Sequence, residues 1–185
     1  PTQFNNSDDF ISYPTNIDSD KKLLEAHACD LLFIPSKEEM YPRGLKSKRY
    51  SLDGINLGLE GKMRPGHFDG VCTIVHKLLD LTMADIAYFG EKDIQQIHVV
   101  TKMIKVLKLP VVIKVCPTIR EADGLAKSSR NKLLTTEDRK SPGAIYNAMI
   151  KAKNNYHKKN LLNTINQVRE DLLSIKNSKI DYIEI

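Results

Sequence analysis

Two short apolar runs, Ile86 to Phe89 and Val111 to Val115, bracket a stretch of helical periodicity, and that alternation leaves few folds open. The first run ends at Gly90, where the missing Cβ lets the backbone turn or approach another group closely. Ile94, Ile97, Val100, Ile104 and Leu107 recur at helical spacing, which predicts a helix from about Asp93 to Leu107 with these residues inward. Pro110 opens the second run, whose β-branched residues favour a strand, and Pro117 closes it. Strand, helix and strand in this order make a βαβ unit, the building block of a doubly wound parallel sheet.

The rest of the chain continues the alternation. Ser19-Asp20 precede a predicted helix over Lys21 to Asp30, with Leu23, Leu24 and His27 at helical spacing, and Leu31 to Pro35 reads as a buried strand. Glu38 to Gly66 carries several glycines and prolines and little periodicity; a loop that long in a compact domain usually serves function. Val71, Ile74, Val75, Leu78 and Leu79 predict a helix over His67 to Leu81. Residues 119–134 are polar and small, as expected of a hinge or an active-site loop. Two amphipathic helices follow, one turning Ile145, Ala148 and Met149 inward, the other Leu161, Ile165, Val168, Leu172 and Ile175. Ile180, Tyr182 and Ile185 alternate as a final strand. The expected class is α/β, with a parallel sheet in a domain over residues 1–117 and a smaller α+β domain over 118–185.

Composition narrows the function classes. At 185 residues, 41% hydrophobic and 28% charged, the chain reads as a soluble folded protein. No stretch approaches the ~18 apolar residues that span a bilayer, and no signal-peptide pattern is present. Cys29, Cys72 and Cys116 are odd in number and widely spaced, which fits free thiols in a cytoplasmic setting and no zinc site. The net charge is +5, with Lys151, Lys153, Lys158 and Lys159 around His157 supplying much of the excess. No aromatic cluster or nucleic-acid motif accompanies them, so they read as a solvated helix end rather than a nucleic-acid surface.

Chemistry is expected where strand meets helix, because ligands of open parallel sheets bind outside the carboxyl ends of the strands. In Gly90-Glu91-Lys92-Asp93-Ile94-Gln95-Gln96, a helix begins within three residues of the glycine, and its first turn offers unpaired N–H groups to a phosphate. Lys92 and Gln96 are four apart, so they share a helix face; Lys92 can neutralise phosphate and Gln96 can bond a small polar substrate. The competing reading is local: Asp93 with Gln96 matches a helix-capping pattern, and Lys92 is a solvent lysine. A second string, Ile119 through Asn131, sets Ser128 and Ser129 between Lys127 and Arg130, suited to holding phosphate oxygens or else to a polar linker. A third, Leu59 to Phe68, turns at Pro65-Gly66 into His67, which serves acid–base chemistry or, more ordinarily, the helix start.

These strings, with Pro1-Thr2-Gln3-Phe4, Asp9-Phe10 and Tyr13-Pro14, and Pro35-Ser36 with Glu39-Met40-Tyr41-Pro42, resemble consecutive blocks of the pantothenate synthetase family, in order and over nearly the whole chain. The resemblance implies a Rossmann-like nucleotidyltransferase domain under a smaller C-terminal lid. It implies a two-step ligation: pantoate and ATP give pantoyl adenylate and pyrophosphate, then β-alanine displaces AMP to give pantothenate, with Mg2+ accompanying the ATP. It assigns Gly90, Glu91, Lys92, Asp93 and Ile119 to ATP, and Gln3 and Gln96 to pantoate, with Gln3 also near β-alanine. Lys127, Ser128, Ser129 and Arg130 would hold the phosphates on a mobile KMSKS-like loop, with Lys127 where the family usually has methionine. Lys92 and Arg130 would stabilise charge developing on the phosphoryl oxygens. A homodimer is also implied.

The family's N-terminal His-x-Gly-His block does not occur here, and Pro65-Gly66-His67 is no substitute. The asparagine usual before Pro1 and the tail usual after Ile185 are missing as well. The expectation is a fragment of a longer enzyme, inactive by itself, with a non-catalytic nucleotide-binding module as the alternative.

Overall fold

The computed structural model describes residues 1–156 and 160–185, so His157, Lys158 and Lys159 of the basic stretch lie outside the described residues. The chain runs through α1 (Ser7–Ile11), α2 (Ile17–Ala26), α3 (Lys37–Met40), α4 (Glu60–Met63), α5 (His67–Thr82), β1 (Ile86–Gly90), α6 (Ile94–Leu107), β2 (Val112–Cys116), α7 (Gly143–Asn155) and α8 (Leu161–Leu173). It divides into two compact units. One comprises Pro1–Tyr88 with Gln95–Lys114, the other Phe89–Ile94 with Val115–Ile185.

The βαβ expectation holds. β1 and β2 pair in a two-stranded sheet, and the Val112 N–H donates to the Asp85 carbonyl at 2.9 Å, so the two strands start side by side and run parallel with α6 between them in sequence. A 3-10 turn over Glu91–Asp93 leads into α6. From Ile97 onward the expected phase holds, and only the first helical residue departs from it. Ile94, at the helix start, is 50% exposed rather than inward, while Val99 and Met103 join Ile97, Val100 and Ile104 as buried positions. α5 presents Phe68, Val71 and Cys72 to the core of this unit, together with Met40, Tyr41 and Leu52. Each such side chain contributes roughly 1.5–3 kcal/mol by leaving water.

Helix starts in this unit follow local chemistry. Asn16 accepts from the Ser19 N–H at 2.9 Å and starts α2 at Ile17, earlier than the expected Lys21. Ser36 and Glu39 form a reciprocal capping box on α3, at 3.1 and 2.7 Å. Leu31 to Pro35 is not a strand: Leu31 is 82% exposed and Phe33 47%, and the segment lies outside the one ladder among the described residues. Apolarity predicts burial, but a strand also needs neighbours for its N–H and C=O groups.

In the second unit, α7 and α8 pack on each other. The buried positions of α7 are small: Gly143, which lies against Asp123, and Ala148, whereas Ile145 and Met149 are 40% and 45% exposed, contrary to the expected face. On α8 the buried positions are Thr164 and Val168, and Leu161 is 37% exposed. Residues 180–185 form no strand, because nothing among the described residues pairs with them in a ladder.

Residues 119–127, expected as a hinge or active-site loop, form a tight antiparallel hairpin. Arg120 and Ala126 bridge, the Lys127 N–H donates to the Ile119 carbonyl at 2.9 Å, and the Glu121 N–H donates to Leu125 at 2.8 Å. Gly124 turns the chain at φ +91° with no room for a Cβ beside Tyr146. Arg120 stacks its guanidinium 3.9 Å from the Tyr146 ring centre and donates to the Gly124 carbonyl at 3.1 Å. The Asp123 carboxylate pairs with Arg139.

Candidate functional site

In the first unit, Gln3 sits on a short segment fastened to the start of α5. A Cβ on Gly70 would run into the Thr2 carbonyl oxygen and the Gln3 Cα, so only glycine admits the segment. Thr2 Oγ1 lies 2.8 Å from the Tyr41 hydroxyl and donates to the Gly70 carbonyl at 3.3 Å. The buried His67 donates from Nδ1 to the Gln3 carbonyl at 2.6 Å, and Asn5 Nδ2 donates to the Pro65 carbonyl at 2.7 Å. His67 thus fixes the backbone of Gln3, a structural contact. The Gln3 side chain remains: its Oε1 is buried and has no hydrogen-bond partner among the described residues. Native interiors rarely leave such an acceptor unmet.

Gln96 is half-buried in the first turn of α6, in the same unit as Gln3. Its neighbour Gln95, which sequence reading passed over, makes the more conspicuous contacts. Gln95 Oε1 accepts from the Glu60 N–H at 3.0 Å, and Nε2 donates to the Ile55 and Gly58 carbonyls at 2.8 Å each.

The second unit holds Gly90, Glu91, Lys92 and Asp93, and also Ile119 and Lys127 to Arg130. Gly90 has φ −76° and its Cβ position is open, so neither conformation nor internal packing demands glycine there. Glu91, Lys92 and Asp93 are exposed. Asp93 accepts from Lys92 Nζ at 3.2 Å, so the carboxylate pairs with the lysine beside it. Ser128 caps the 3-10 turn Ser129–Leu133, its Oγ accepting from the Arg130 N–H at 3.3 Å. Asn131 Nδ2 donates to the Ala126 carbonyl at 3.1 Å and ties this turn to the hairpin. Ile119 is 65% exposed, an apolar surface beside cationic and hydroxyl groups. Such a set suits an anion with a flat apolar part attached. Among the described residues, no group of three or more His, Cys, Asp or Glu side chains could hold a metal ion. No helix among them is long and apolar enough to cross a membrane.

Known proteins share this sequence and fold. The pantothenate synthetase of Shouchella clausii is 44% identical over 184 residues, covering 100% of this chain and 60% of that protein. The crystal structure of pantothenate synthetase from Thermus thermophilus superposes with a TM-score of 0.90 at 38% identity, over 98% of this chain and 66% of the other. That of Francisella tularensis pantoate-beta-alanine ligase, complexed with beta-gamma ATP and beta-alanine, gives 0.80 at 39% identity, over 93% and 64%. The chain therefore spans less than two thirds of the length of these relatives. The Pantoate-beta-alanine ligase family model matches residues 1–185, and the chain belongs to that family.

Proposed function

We propose that this chain carries the nucleotide- and pantoate-handling part of an ATP-dependent ligase that condenses pantoate with β-alanine. The observation that carries the reading is the buried, unpartnered Oε1 of Gln3 on a segment that Gly70 and His67 hold in place. A pantoate hydroxyl or the amine of β-alanine would supply the missing donor. The complex of the Francisella relative with beta-gamma ATP and beta-alanine supports the same choice of ligands.

In the proposed reaction a pantoate carboxylate oxygen attacks the α-phosphorus of ATP and the bond to pyrophosphate breaks. The amine of β-alanine then attacks the acyl carbon of pantoyl adenylate, and AMP leaves with the bonding pair. Gln3 and Gln96 orient pantoate. The open Cβ position of Gly90 admits a phosphate against the backbone. Lys92 exchanges its contact with Asp93 for phosphoryl oxygens, and Glu91 and Asp93 line the nucleotide. Ser128, Ser129 and Arg130 bond the phosphates, with Lys127 adding charge and Ile119 packing on the base or ribose. Lys92 and Arg130 act catalytically, since their charge meets negative charge developing in the transition state. Magnesium fits this donor set as an ion carried on the ATP phosphates rather than in a protein cage.

We assign residues 1–117 to a Rossmann-like ATP- and pantoate-binding domain and 118–185 to the lid, in a cytoplasmic homodimer. The test uses the polypeptide of the complete reading frame. AMP should form from ATP only when pantoate is present, and Lys92→Ala should lower that rate by about 100-fold or more while thermal stability stays unchanged. AMP release that needs neither pantoate nor β-alanine would refute the reading.

A further inference from the structure

We infer that Gln95 is a positioning residue for the pantoate site, resting on the ligase reading above: it clamps the 55–60 loop to α6 and so sets the place of Gln3. Its amide uses one acceptor and both donors on backbone groups of that loop, Glu60 N–H at 3.0 Å and the Ile55 and Gly58 carbonyls at 2.8 Å. A side chain with all its polar atoms spent on a neighbouring backbone fixes that backbone.

The loop needs such a restraint. Leu59 lies at φ 50°, ψ −125°, a conformation that L side chains adopt only under constraint, and Asp53 and Gly54 also have positive φ. A Cβ at Gly61 would strike the Asn56 carbonyl, so the loop folds back tightly on itself. A second tether comes from the same helix. Lys102 pairs with Asp53 at the start of the loop, and Gln95 and Lys102 are seven residues apart, two turns along one face of α6.

The loop runs directly into α4 and the Pro65-Gly66 turn, from which the Pro65 carbonyl holds Asn5 and His67 holds Gln3. Gln96, the other proposed pantoate residue, is the next residue of α6. Gln95 therefore links the helix that carries one substrate glutamine to the scaffold that carries the other, all within one compact unit.

The test compares Gln95→Met, which keeps length and bulk but removes all three hydrogen bonds, with Gln95→Glu, which keeps the acceptor for Glu60 and sets a carboxylate against two carbonyls. In the polypeptide of the complete reading frame, both should raise the KM for pantoate about tenfold or more, with KM for ATP within about twofold. Hydrogen exchange at the Glu60 amide should quicken about tenfold in Gln95→Met and stay slower in Gln95→Glu, which alone keeps a partner for it. Equal losses in both KM values together with a lowered melting temperature would mark a merely structural residue and overturn the inference. So would wild-type exchange at Glu60 in Gln95→Met. A wild-type protein that makes no AMP in response to pantoate overturns the ligase reading instead, and is told apart because Glu60 exchange still responds to the substitution.

Discussion

Gly70 lies in the first turn of α5, where glycine still costs stability relative to alanine, yet the structure allows nothing larger: a Cβ would displace the Thr2 carbonyl and the Gln3 Cα. Gly70→Ala should destabilise the protein by about 1–3 kcal/mol, as for other forced overpacking, and should weaken pantoate binding more than ATP binding. Urea denaturation and ligand titration read the two effects; an unchanged pantoate affinity would show that the segment is not held through this contact. Sequence reading could not have singled out this glycine, since its reason lies in a contact 68 residues away in the chain, the Thr2 Oγ1 bond to its own carbonyl included. Resemblance supplied Gln3 and Gln96 but passed over Gln95. Two adjacent glutamines are identical in chemistry, and the backbone groups that Gln95 meets lie 35 to 40 residues away in the chain, where spacing along one helix cannot reach.

Elements were legible where periodicity is long and regular. His67–Thr82 and Ile94–Leu107 stand within a residue or so of their expected bounds, because each buries a continuous stripe against the other elements of its unit. The stripe of α6 is wider than expected, and Met103, Val99 and Val100 are fully buried. Met103→Ala should therefore cost about 2–5 kcal/mol, measured by chemical denaturation; a loss below ~1 kcal/mol would mean that neighbouring side chains collapse into the space. Two expected strands, Leu31 to Pro35 and Ile180 to Ile185, are absent for a common reason. Alternation or apolarity describes one strand's side chains, whereas a strand exists only as one member of a ladder. The 119–127 hairpin was hidden in the opposite way. The polar, small residues of 119–134 suggested a hinge or an active-site loop without showing a hairpin, and part of their polarity is spent on internal bonds: Asp123 to Arg139, Arg120 to Gly124 and Tyr146, Asn131 to Ala126.

For the molecule as a whole, the two units differ in how their charges respond to pH. Three carboxylates of the second unit are held below the usual aspartate range, Asp123 by its bond from Arg139, Asp138 by Asn177 and then Thr135, and Asp171 by Lys151. A group whose folded-state pKa is depressed stabilises above its unfolded value, about 4, and that stability is lost as pH falls through the folded value. In the first unit Glu39 behaves this way, through the Ser36 capping box. That unit instead holds Cys72, pushed up to about 12 by burial and then by the Asp69 charge, and Tyr50, raised by burial. Groups raised in the fold stabilise below their unfolded values, about 8.5 for cysteine and 10 for tyrosine, and lose that contribution as pH rises through the folded values. The second unit should therefore be the acid-sensitive one and the first the alkali-sensitive one. Methyl resonances report each without relying on exchanging amides: Val168 for the second unit, Val99 and Val100 for the first. On acidification below about pH 4, Val168 should lose its native shift at a higher pH than Val99 and Val100, and above about pH 9 the order should reverse. Cys72→Ala removes a buried side chain and so lowers stability on both limbs, but the alkaline loss should move to higher pH relative to the acid one. A single midpoint shared by all three methyl reporters on both limbs would show that the units unfold as one and that these pairs do not set their pH limits.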